Sequence, residues 1–343
     1  MAGLVAAARA RELGAEPVVL EKLDRVGGSM RLSSGVVWRH REFEGFREDC
    51  PGGDERLQRI VFERTDESVR WLESLGAPVQ ERDIGNPLTT GVRFSPVGLA
   101  AALFEAAGEV RCHTPLREPP AGDTPLVLAT GGFQASRGLL RRHVTIYADE
   151  LLLRAAPGST GDGLRIGLAA GGRPSAGLDQ FYGRNMPAPP ARVREQDFVR
   201  LGQLYARHAE VTSVEGQRYE ARSWSEVDVV QWTARQPGAR AWFRVREESL
   251  GERVRGRKVE EMVEAAATAG APVRREDGAV AVETVAGVTA TLGGLEVDER
   301  AQVAPGVFAC GGDAGGIATG GWSSGLAAAL VLGRVAAESA LGV

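Results

Sequence analysis

Hydrophobic positions near the start of the chain follow a helical pattern. Residues 2–13 are rich in alanine, the best helix former, and their larger apolar side chains fall on one face. Gly14 is a suitable stop for this helix, and the apolar run 18–20 predicts a short buried strand that ends at Glu21. The chain therefore opens with a helix followed by a strand.

Further elements are predicted in the first half of the chain. Residues 67–75 have the spacing of a helix, with Asp66 as its N-cap and Gly76 after its end. The apolar run 125–129 predicts a second buried strand, which leads directly into a Gly-rich turn. A short helix that starts at Asp162 is predicted beyond this turn.

The hydrophobic pattern changes near residue 178. Tyrosine and tryptophan are more frequent over 179–287, and apolar side chains recur at helical spacing in two stretches, 198–208 and 250–266. We therefore predict a separate, mainly helical unit in this part of the chain. Strand-like sequence returns after it, and a final helix is predicted over about 323–341.

Glycine is the residue type in clearest excess. The chain has 45 glycines in 343 residues, about twice the usual frequency of about 7%. Many occur as pairs that follow predicted strands or precede predicted helices. Paired glycines permit positive φ and close backbone approach, either to a ligand or to another backbone. Ordinary turns explain any one pair, but they explain the placement of the whole set less well.

Composition and charge narrow the class of protein. At about 150 residues per domain, the length suggests two domains. Hydrophobic residues make up 43% of the chain and charged residues 25%, as in globular proteins with a sizeable core. The formal charge of −4 argues against binding of nucleic acid through a basic surface. No apolar run approaches the roughly 20 residues of a membrane span, so none is expected.

The cysteines point to a reducing compartment. Cys50, Cys112 and Cys310 are odd in number and lack CxxC spacing, so we expect neither a disulfide framework nor a metal site. The start of the chain does not show the charged and apolar regions of a secretory signal. The expected location is therefore the cytoplasm.

Part of a dinucleotide-binding motif stands at the start of the chain. The Rossmann motif runs from a strand through G-x-G-x-x-G into a helix and a second strand, followed by an acid that binds ribose. Gly3 can serve as the third glycine and Glu21 as the acid. The first strand and first two glycines are not in the sequence. We expect the natural protein to be longer, with a truncated or mis-assigned start, and the in-frame codons upstream of Met1 test this expectation.

Several later segments carry a resemblance to a known family. They are Glu21-Lys22, Val26-Gly27-Gly28-Ser29, Ser33-Ser34-Gly35, Thr130-Gly131-Gly132-Phe133, Gly161-Asp162-Gly163, and the block from Ala309 to Ala337 (ACGGDAGGIATGGWSSGLAAALVLGRVAA). Together they resemble FAD-dependent oxidoreductases of the fumarate reductase and succinate dehydrogenase flavoprotein superfamily, which includes 3-ketosteroid dehydrogenases and tricarballylate dehydrogenase-like enzymes. The resemblance extends over nearly the whole chain.

This resemblance implies a fold and a cofactor. The fold would be α/β, with a discontinuous Rossmann-like FAD-binding domain at 1–178 and 288–343 and an inserted α+β capping domain at 179–287. Asp313 would bind the ribityl chain of FAD, and the start of the final helix would face the flavin pyrimidine. The residues implied to hold FAD are Gly3, Glu21, Lys22, Gly27, Gly28, Ser29, Ser34, Gly35, Thr130, Gly131, Gly132, Asp162, Gly312, Asp313, Ser323, Ser324, Gly325 and Leu326.

The resemblance also implies a chemistry, namely hydride exchange between flavin N5 and a C–C bond next to a carbonyl or carboxylate. The substrate would be an unsaturated acid or ketone, and the electron partner is not specified. In fumarate reductases the proton donor is an arginine directly before an aspartate, but here Val227 precedes Asp228. A histidine usual before the returning Gly-Gly pair is replaced by Ala290 or Thr291. These departures make fumarate and succinate poor substrate candidates.

Three residues of the capping domain are candidates for catalysis. Tyr182 could polarise a carbonyl or pass a proton through its hydroxyl, and Arg184 could pair with a carboxylate. Arg218 lies in a segment that resembles the family's G-x-R-F, which suggests a role in orienting substrate. Arg222, close to Arg218 in the sequence, is a further candidate. The alternative for Tyr182 is packing at a hinge, and for Arg184 and Arg222 it is a solvated charge.

A second hypothesis is a truncated or degenerate flavoprotein with weak or no FAD binding and no catalysis. It rests on the missing first strand, which in this fold is central and hydrogen-bonded on both sides. Absorbance of bound flavin at about 450 nm distinguishes the two hypotheses. A protein that binds only NAD(P) is disfavoured, because the C-terminal glycine block fits a flavin ring better.

Overall fold

A computed structural model describes residues 1–120, 124–220, 223 and 225–343, which form two compact units. The first unit comprises Met1–Ser136, Ala155–Gln180 and Ala290–Val343. The second unit comprises Arg137–Arg154 and Phe181–Thr289. The sequence-based division differs from this one mainly over residues 137–154, which it assigned to the FAD-binding domain.

The secondary structure is mixed α/β. The helices are α1 (Ala2–Glu12), α2 (Phe43–Asp49), α3 (Glu55–Ser74), α4 (Pro96–Ala107), α5 (Arg137–His143), α6 (Asp162–Ala169), α7 (Glu226–Ala234), α8 (Val259–Ala269) and α9 (Gly325–Ala340). The strands are β1 (Val18–Leu20), β2 (Val36–His40), β3 (Val79–Glu81), β4 (Thr89–Phe94), β5 (Glu109–Arg111), β6 (Leu126–Leu128), β7 (Leu152–Leu153), β8 (Phe181–Pro187), β9 (Glu210–Ser213), β10 (Arg240–Arg246), β11 (Arg253–Val254), β12 (Arg257–Lys258), β13 (Val273–Glu276), β14 (Ala279–Thr291), β15 (Gln302–Ala304) and β16 (Val307–Ala309).

The first unit is built around α9. Helix α1 packs against α9 and α4, and α3 also contacts α9. Every residue of α9 from 327 to 337 is buried, which makes α9 a core helix rather than an amphipathic surface helix. Gly333 permits the close approach to α1, because a side chain there would lie 2.8 Å from the carbonyl oxygen of Ala2. Within the described part of the chain, each helix is too short or too polar to span a bilayer.

The sheets of the first unit are small. Strand β1 pairs in parallel with β5, and β6 pairs in parallel with β16, which also pairs antiparallel with β15. A separate antiparallel sheet has the order β2-β4-β3. The carboxyl ends of β6 and β16 lie at one edge because the two strands are parallel, and both are followed by Gly-rich turns.

Two predictions for the first unit are wrong in part. The helix predicted over 67–75 is the end of α3, whose N-cap is Asp54, not Asp66. Polar Thr65 and Ser68 interrupt the buried face of α3, so the apolar residues before them were not joined to the predicted helix. The strand predicted at 18–20 is present, but Val18 and Leu20 are 45% and 41% exposed. A run of three apolar residues is too short to predict burial.

The second unit is organised by a mixed sheet rather than by helices. Its strands follow the order β13-β14-β10-β9, and β7 and β8 also pair with β14. The prediction of a mainly helical unit is therefore wrong, whereas the α+β composition implied by the resemblance is present. The stretch 198–208 is largely irregular, and its Tyr205 is fully buried with its ring edge-on to Phe243 at 5.7 Å. Core packing, not a helix, explains the apolar spacing there.

Glu338 joins three helices of the first unit. From α9 it accepts hydrogen bonds from Arg9 Nε of α1 (2.9 Å) and Arg64 Nη1 of α3 (2.8 Å), and its side chain is 15% exposed. Burial alone would raise the pKa of Glu338, but the hydrogen bonds and charges of Arg64 and Arg9 outweigh burial and lower this pKa.

We expect Glu338→Gln to lower the free energy of unfolding by about 1–2 kcal/mol at neutral pH. Because the pKa of Glu338 is depressed in the folded protein, its contribution is present above the unfolded value of about 4.3 and is lost as pH falls through the folded value. Urea unfolding should therefore show a smaller difference in the free energy of unfolding between wild type and Glu338→Gln at pH 3 than at pH 7. Glu299→Gln is the control, since exposed Glu299 lies 3.9 Å from exposed Arg56. An equal loss in both variants would contradict the expectation.

Candidate functional site

Asp313 lies at the carboxyl edge shared by β6 and β16. It is 1% exposed. One carboxylate oxygen accepts hydrogen bonds from Thr130 Oγ1 (3.0 Å) and Gly132 N (3.2 Å), and the other accepts from Thr130 N. Burial raises the pKa of Asp313, while the donors at Thr130 and Gly132 act in the opposite sense. Asp313 therefore holds together two turns that the sequence separates widely.

A third turn joins the same cluster at the start of α6. Gly163 N donates to Thr130 Oγ1 (2.9 Å), and Gly161 N donates to the carbonyl oxygen of Gly132 (3.0 Å). A side chain at Gly163 would lie 2.5 Å from the Asp313 carboxyl carbon. Three segments identified by the family resemblance thus meet around one buried carboxylate.

Gly312 shows how closely these turns pack. Its φ is not in the left-handed region, yet a methyl group there would lie 2.7 Å from the carbonyl carbon of Gly131 and 3.0 Å from Gly132 N. We expect Gly312→Ala to push the turns apart, weaken FAD binding and lower the free energy of unfolding by about 1–3 kcal/mol. Thermal unfolding and flavin absorbance measure both effects.

Gly138→Ala provides the matched control for Gly312→Ala. A methyl group at Gly138 would have no neighbour within 4 Å, and the residue lies in α5. We expect Gly138→Ala to be neutral or to stabilise by up to about 1 kcal/mol, because alanine favours helix. If both variants changed stability and FAD binding equally, close packing at Gly312 would not be the cause.

Lys22 and Asp162 pair with each other. Lys22 Nζ lies 2.5 Å from Asp162 Oδ2 and 2.6 Å from Thr160 Oγ1, and both partners of the ion pair are partly exposed. Glu21 Oε1 accepts from Leu23 N (2.9 Å), which fixes the turn after β1. The segment predicted to bind ribose is therefore tied to the turn before α6.

The 27–35 segment contains positions that leave space or make contacts in the predicted site, and one glycine that serves strand pairing. Gly27 has φ of 101°, and nothing lies within 4 Å of where a Gly28 side chain would be. Ser29 Oγ accepts from Ala156 N (3.0 Å), and Ser34 is exposed. Gly35 has another explanation, because a side chain there would collide with the carbonyl oxygen of Phe94 on β4. Gly35 thus serves the close pairing of β2 and β4.

The amino ends of α1 and α9 complete the predicted site residues of the first unit. Ser324 caps α9, accepting from Ala327 N (3.2 Å), while Ser323 is buried and Gly325 is exposed. Leu326 is partly buried in the first turn, and first-turn amides have no partner within their own helix. Gly3 packs against Ala129, and α1 has no side-chain cap.

Tyr182 and Arg184 come together in the second unit. They are two residues apart on β8, so they share one face of the strand. The Arg184 guanidinium lies 4.6 Å from the centre of the Tyr182 ring, and Arg184 is 5% exposed. The alternative of a solvated Arg184 is therefore wrong.

Arg218 lies in a different setting within the second unit. Its side chain is 71% exposed and lies 3.8 Å from Glu210. It lines a surface cleft of about 460 Å³, together with Ala209, Glu210, Val211, Tyr219 and Glu220. Arg222 falls outside the described residues. One further arginine of this unit, Arg154, was not predicted, although it follows the apolar run of β7.

The chain belongs to a family of flavoproteins. The family model described as "FAD binding domain" matches residues 1–103 and 108–325, so the chain is a member of this family. No curated protein sequence matches the chain.

Solved structures with this fold include a flavocytochrome c3 fumarate reductase and two bacterial steroid enzymes. The fumarate reductase is 19% identical, with a TM-score of 0.71 and coverage of 99% of this chain and 76% of that one. The 3-ketosteroid-Δ4-(5α)-dehydrogenase of Rhodococcus jostii RHA1 is 18% identical, with a TM-score of 0.71 and coverage of 100% of this chain and 95% of that one. The 3-ketosteroid Δ1-dehydrogenase of Sterolibacterium denitrificans is 16% identical, with a TM-score of 0.74 and coverage of 99% of this chain and 97% of that one.

These findings confirm the resemblance, the α/β fold and FAD as the cofactor. Polar side-chain atoms of the first unit are also suited to binding FAD. Gln134 Oε1, beside the 130–132 turn, and Thr319 Oγ1, in the C-terminal glycine block, are buried without a partner among the residues that the structure describes. Such atoms suit a polar ligand. The exposed Gly325 at the start of α9 and the open space at Gly28 add to this fit.

Proposed function

We propose that the protein is an FAD-dependent oxidoreductase acting on a C–C bond next to a carbonyl or carboxylate, by desaturation or ene-reduction. FAD would supply hydride acceptance or donation at flavin N5. Membership of the FAD-binding family supports the cofactor. Neighbours named as fumarate reductase and 3-ketosteroid dehydrogenases support the type of reaction.

The observation that carries this proposal is the meeting of three Gly-rich turns around Asp313. In open α/β sheets, ligands bind outside the carboxyl ends of the strands, and these turns lie at that edge of β6 and β16. Asp313 would act mainly by shaping the turns, because its oxygens already accept three hydrogen bonds from Thr130 and Gly132. We propose that main-chain amides of the 130–132 turn then face the cofactor.

The helix amino ends would hold the negative parts of FAD. Helix N-termini carry partial positive charge and unpaired amides, which favour phosphate and other anions. We propose that the first turn of α1, at Gly3, faces the pyrophosphate. The first turn of α9, at Gly325 and Leu326, would stabilise charge on the flavin pyrimidine. Lys22, Glu21 and Ser29 would position the ribose end of the cofactor.

The second unit would supply the groups that act on the substrate. We propose that the Tyr182 hydroxyl polarises the substrate carbonyl or moves a proton at the carbon beside it. Arg184 would hold the substrate's carboxylate. Arg218 would orient substrate from the surface cleft that it lines. The functional division into 1–178 with 288–343 and 179–287 is part of the same proposal.

The three cysteine thiols support a location in a reducing compartment. Cys50, Cys112 and Cys310 are all unpaired, and burial raises the pKa of Cys50 and of Cys310 to about 12, so both stay protonated and unreactive at neutral pH. We propose a cytoplasmic location on this basis. The electron partner is left open by the proposal.

A dye-linked assay with FAD-loaded protein tests the proposed function. One arm contains saturated acids or ketones with an oxidised dye, and the other contains their α,β-unsaturated counterparts with a reduced dye. We expect turnover in at least one arm, with colour change dependent on both substrate and FAD. If FAD-loaded protein turned over no acid and no ketone in either direction, the proposed reaction type would be wrong.

A further inference from the structure

Two arginines of the second unit flank the same point of β14. Strands β7 and β8 both pair with β14, and Leu152 and Leu153 of β7 lie opposite Gly287 and Val288. Arg154, which follows β7, donates its N–H to the carbonyl oxygen of Val288 (2.8 Å). A side chain at Gly287 would lie 2.9 Å from the carbonyl oxygen of Arg184 and 3.7 Å from Arg154 Cδ. The glycine thus permits the close pairing of β8 with β14 at the point where Arg154 and Arg184 lie.

Among the described residues, both guanidinium groups donate hydrogen bonds to neutral groups. Arg154 donates from Nε (3.1 Å) and Nη2 (2.8 Å) to the carbonyl oxygen of Phe198, and from Nη1 to Thr289 Oγ1 (2.9 Å). Arg184 donates from Nη1 to the carbonyl oxygen of Gly183 (2.9 Å) and lies over the Tyr182 ring. Over the described ranges, neither arginine forms an ion pair with an acidic side chain.

Arginines of comparable burial elsewhere in the described chain have acidic partners. Arg334, 8% exposed, lies 3.1 Å from Glu67. Arg240, which is only partly buried, also has an acidic partner, since it lies 3.3 Å from buried Glu283. A buried charge without a counter-ion is costly. Arg154 shows this cost, because burial is the largest influence on its pKa and lowers it to about 10. Tyr182 acts in the opposite sense, and the positive charge of Arg184 adds a smaller lowering. The pair therefore carries positive charge that an anion would balance.

We propose that Arg154 and Arg184 together bind a carboxylate of the substrate, so that the substrate is an α,β-unsaturated acid or its saturated counterpart rather than a neutral ketone. The planar guanidinium fork matches a carboxylate in two parallel hydrogen bonds. Arg154 has its Nε, Nη1 and Nη2 already oriented by Phe198 and Thr289, which fixes its plane. Arg184 has a single hydrogen bond and keeps most of its donors for a ligand. This inference rests on the proposed function.

Calorimetric titration of the FAD-loaded full chain tests the inference without relying on turnover. The probes are crotonate, its neutral amide crotonamide, and inorganic phosphate, at constant ionic strength. We expect crotonate to bind at least tenfold more tightly than either crotonamide or phosphate. Arg154→Gln and Arg184→Gln should each weaken crotonate binding at least tenfold and leave crotonamide binding unchanged.

Arg274→Gln is the matched control, because Arg274 is an exposed arginine of the same unit that also lies over an aromatic ring, 4.0 Å from that of Trp242. It should bind crotonate as the wild type does. Arg154→Lys and Arg184→Lys keep the charge but lose the guanidinium fork, so their loss of crotonate affinity should be smaller than that of the Gln variants. They replace a Gln variant that does not fold. Equal binding of crotonate and crotonamide, or of phosphate and crotonate, would overturn the inference, as would unchanged binding in all four arginine variants.

The same samples separate this inference from the proposed function. Protein that binds FAD and turns over ketones, with crotonate binding indifferent to Arg154 and Arg184, would overturn the inference alone. Protein that binds crotonate through both arginines but has no flavin absorbance at about 450 nm would overturn the proposed function, while the carboxylate site at the two arginines would still be supported.

Discussion

Asp313→Ala is expected to abolish FAD binding and to lower the free energy of unfolding by about 3–5 kcal/mol. The substitution leaves Thr130 N, Thr130 Oγ1 and Gly132 N without their acceptor in a fully buried position. The 130–132 and 311–313 turns would then separate at the edge of the sheet where we place the cofactor. Urea unfolding measures the first effect, and FAD titration followed at about 450 nm measures the second.

Asp298→Ala is the control for the effect at Asp313. The exposed carboxylate of Asp298 also accepts two backbone hydrogen bonds, from Arg300 N and Gln302 N (2.9 and 2.8 Å). Water can replace the lost acceptor there, so we expect a loss below about 1 kcal/mol. An Asp313→Ala variant that lost no more stability than Asp298→Ala and still bound FAD would contradict the role given to Asp313.

Tyr182→Phe is expected to lower kcat by about 10²–10⁴-fold, the usual contribution of a positioned proton donor. The substitution removes the hydroxyl but keeps the ring that lies under Arg184. FAD content and substrate affinity should therefore change little, so that the loss appears in kcat rather than in KM. The dye-linked assay gives both constants, and flavin absorbance gives the FAD content.

Tyr147→Phe is the matched variant for Tyr182→Phe, since Tyr147 is a partly buried tyrosine of the same unit. We expect its kcat to stay within about twofold of the wild type, because no catalytic role is assigned to it. A Tyr182→Phe variant with wild-type kcat would limit Tyr182 to packing against Arg184, which is the alternative that the sequence left open.

The local elements of the first unit were predictable because their signals are local. Alanine content and a glycine stop define α1, and apolar runs that end in glycine define β6 and the start of the 130–132 turn. The beginning of α3 was missed because polar Thr65 and Ser68, which face the interior, interrupt its buried apolar face. Burial of polar residues depends on partners from other parts of the chain.

The second unit was harder to predict because its core uses strands whose partners are distant. The alternating burial of β10 is visible in RAWFRVR, but pairing with β14 joins residues about forty positions apart. The stretch 198–208 kept helical spacing without forming a helix. Tertiary packing decided its conformation, as it commonly overrides local propensity.

The candidate site was predictable as a set of segments but not as a geometry. Asp313, the 130–132 turn and Gly163 were all identified by resemblance, yet nothing in the sequence showed that one carboxylate would bind both turns. Arg154 was missed because a single arginine after an apolar run has no motif spacing. Its importance follows from the structure, where β7 and β8 bring Arg154 and Arg184 to the same point of β14 and neither pairs with an acid among the described residues.

Titration of the purified full chain with FAD tests the central claim most directly. We expect saturation at one FAD per chain, with the oxidised flavin band at about 450 nm retained after gel filtration and lost in the Asp313→Ala variant. A colourless protein that takes up no FAD under these conditions would contradict the claim and favour a degenerate flavoprotein without redox function.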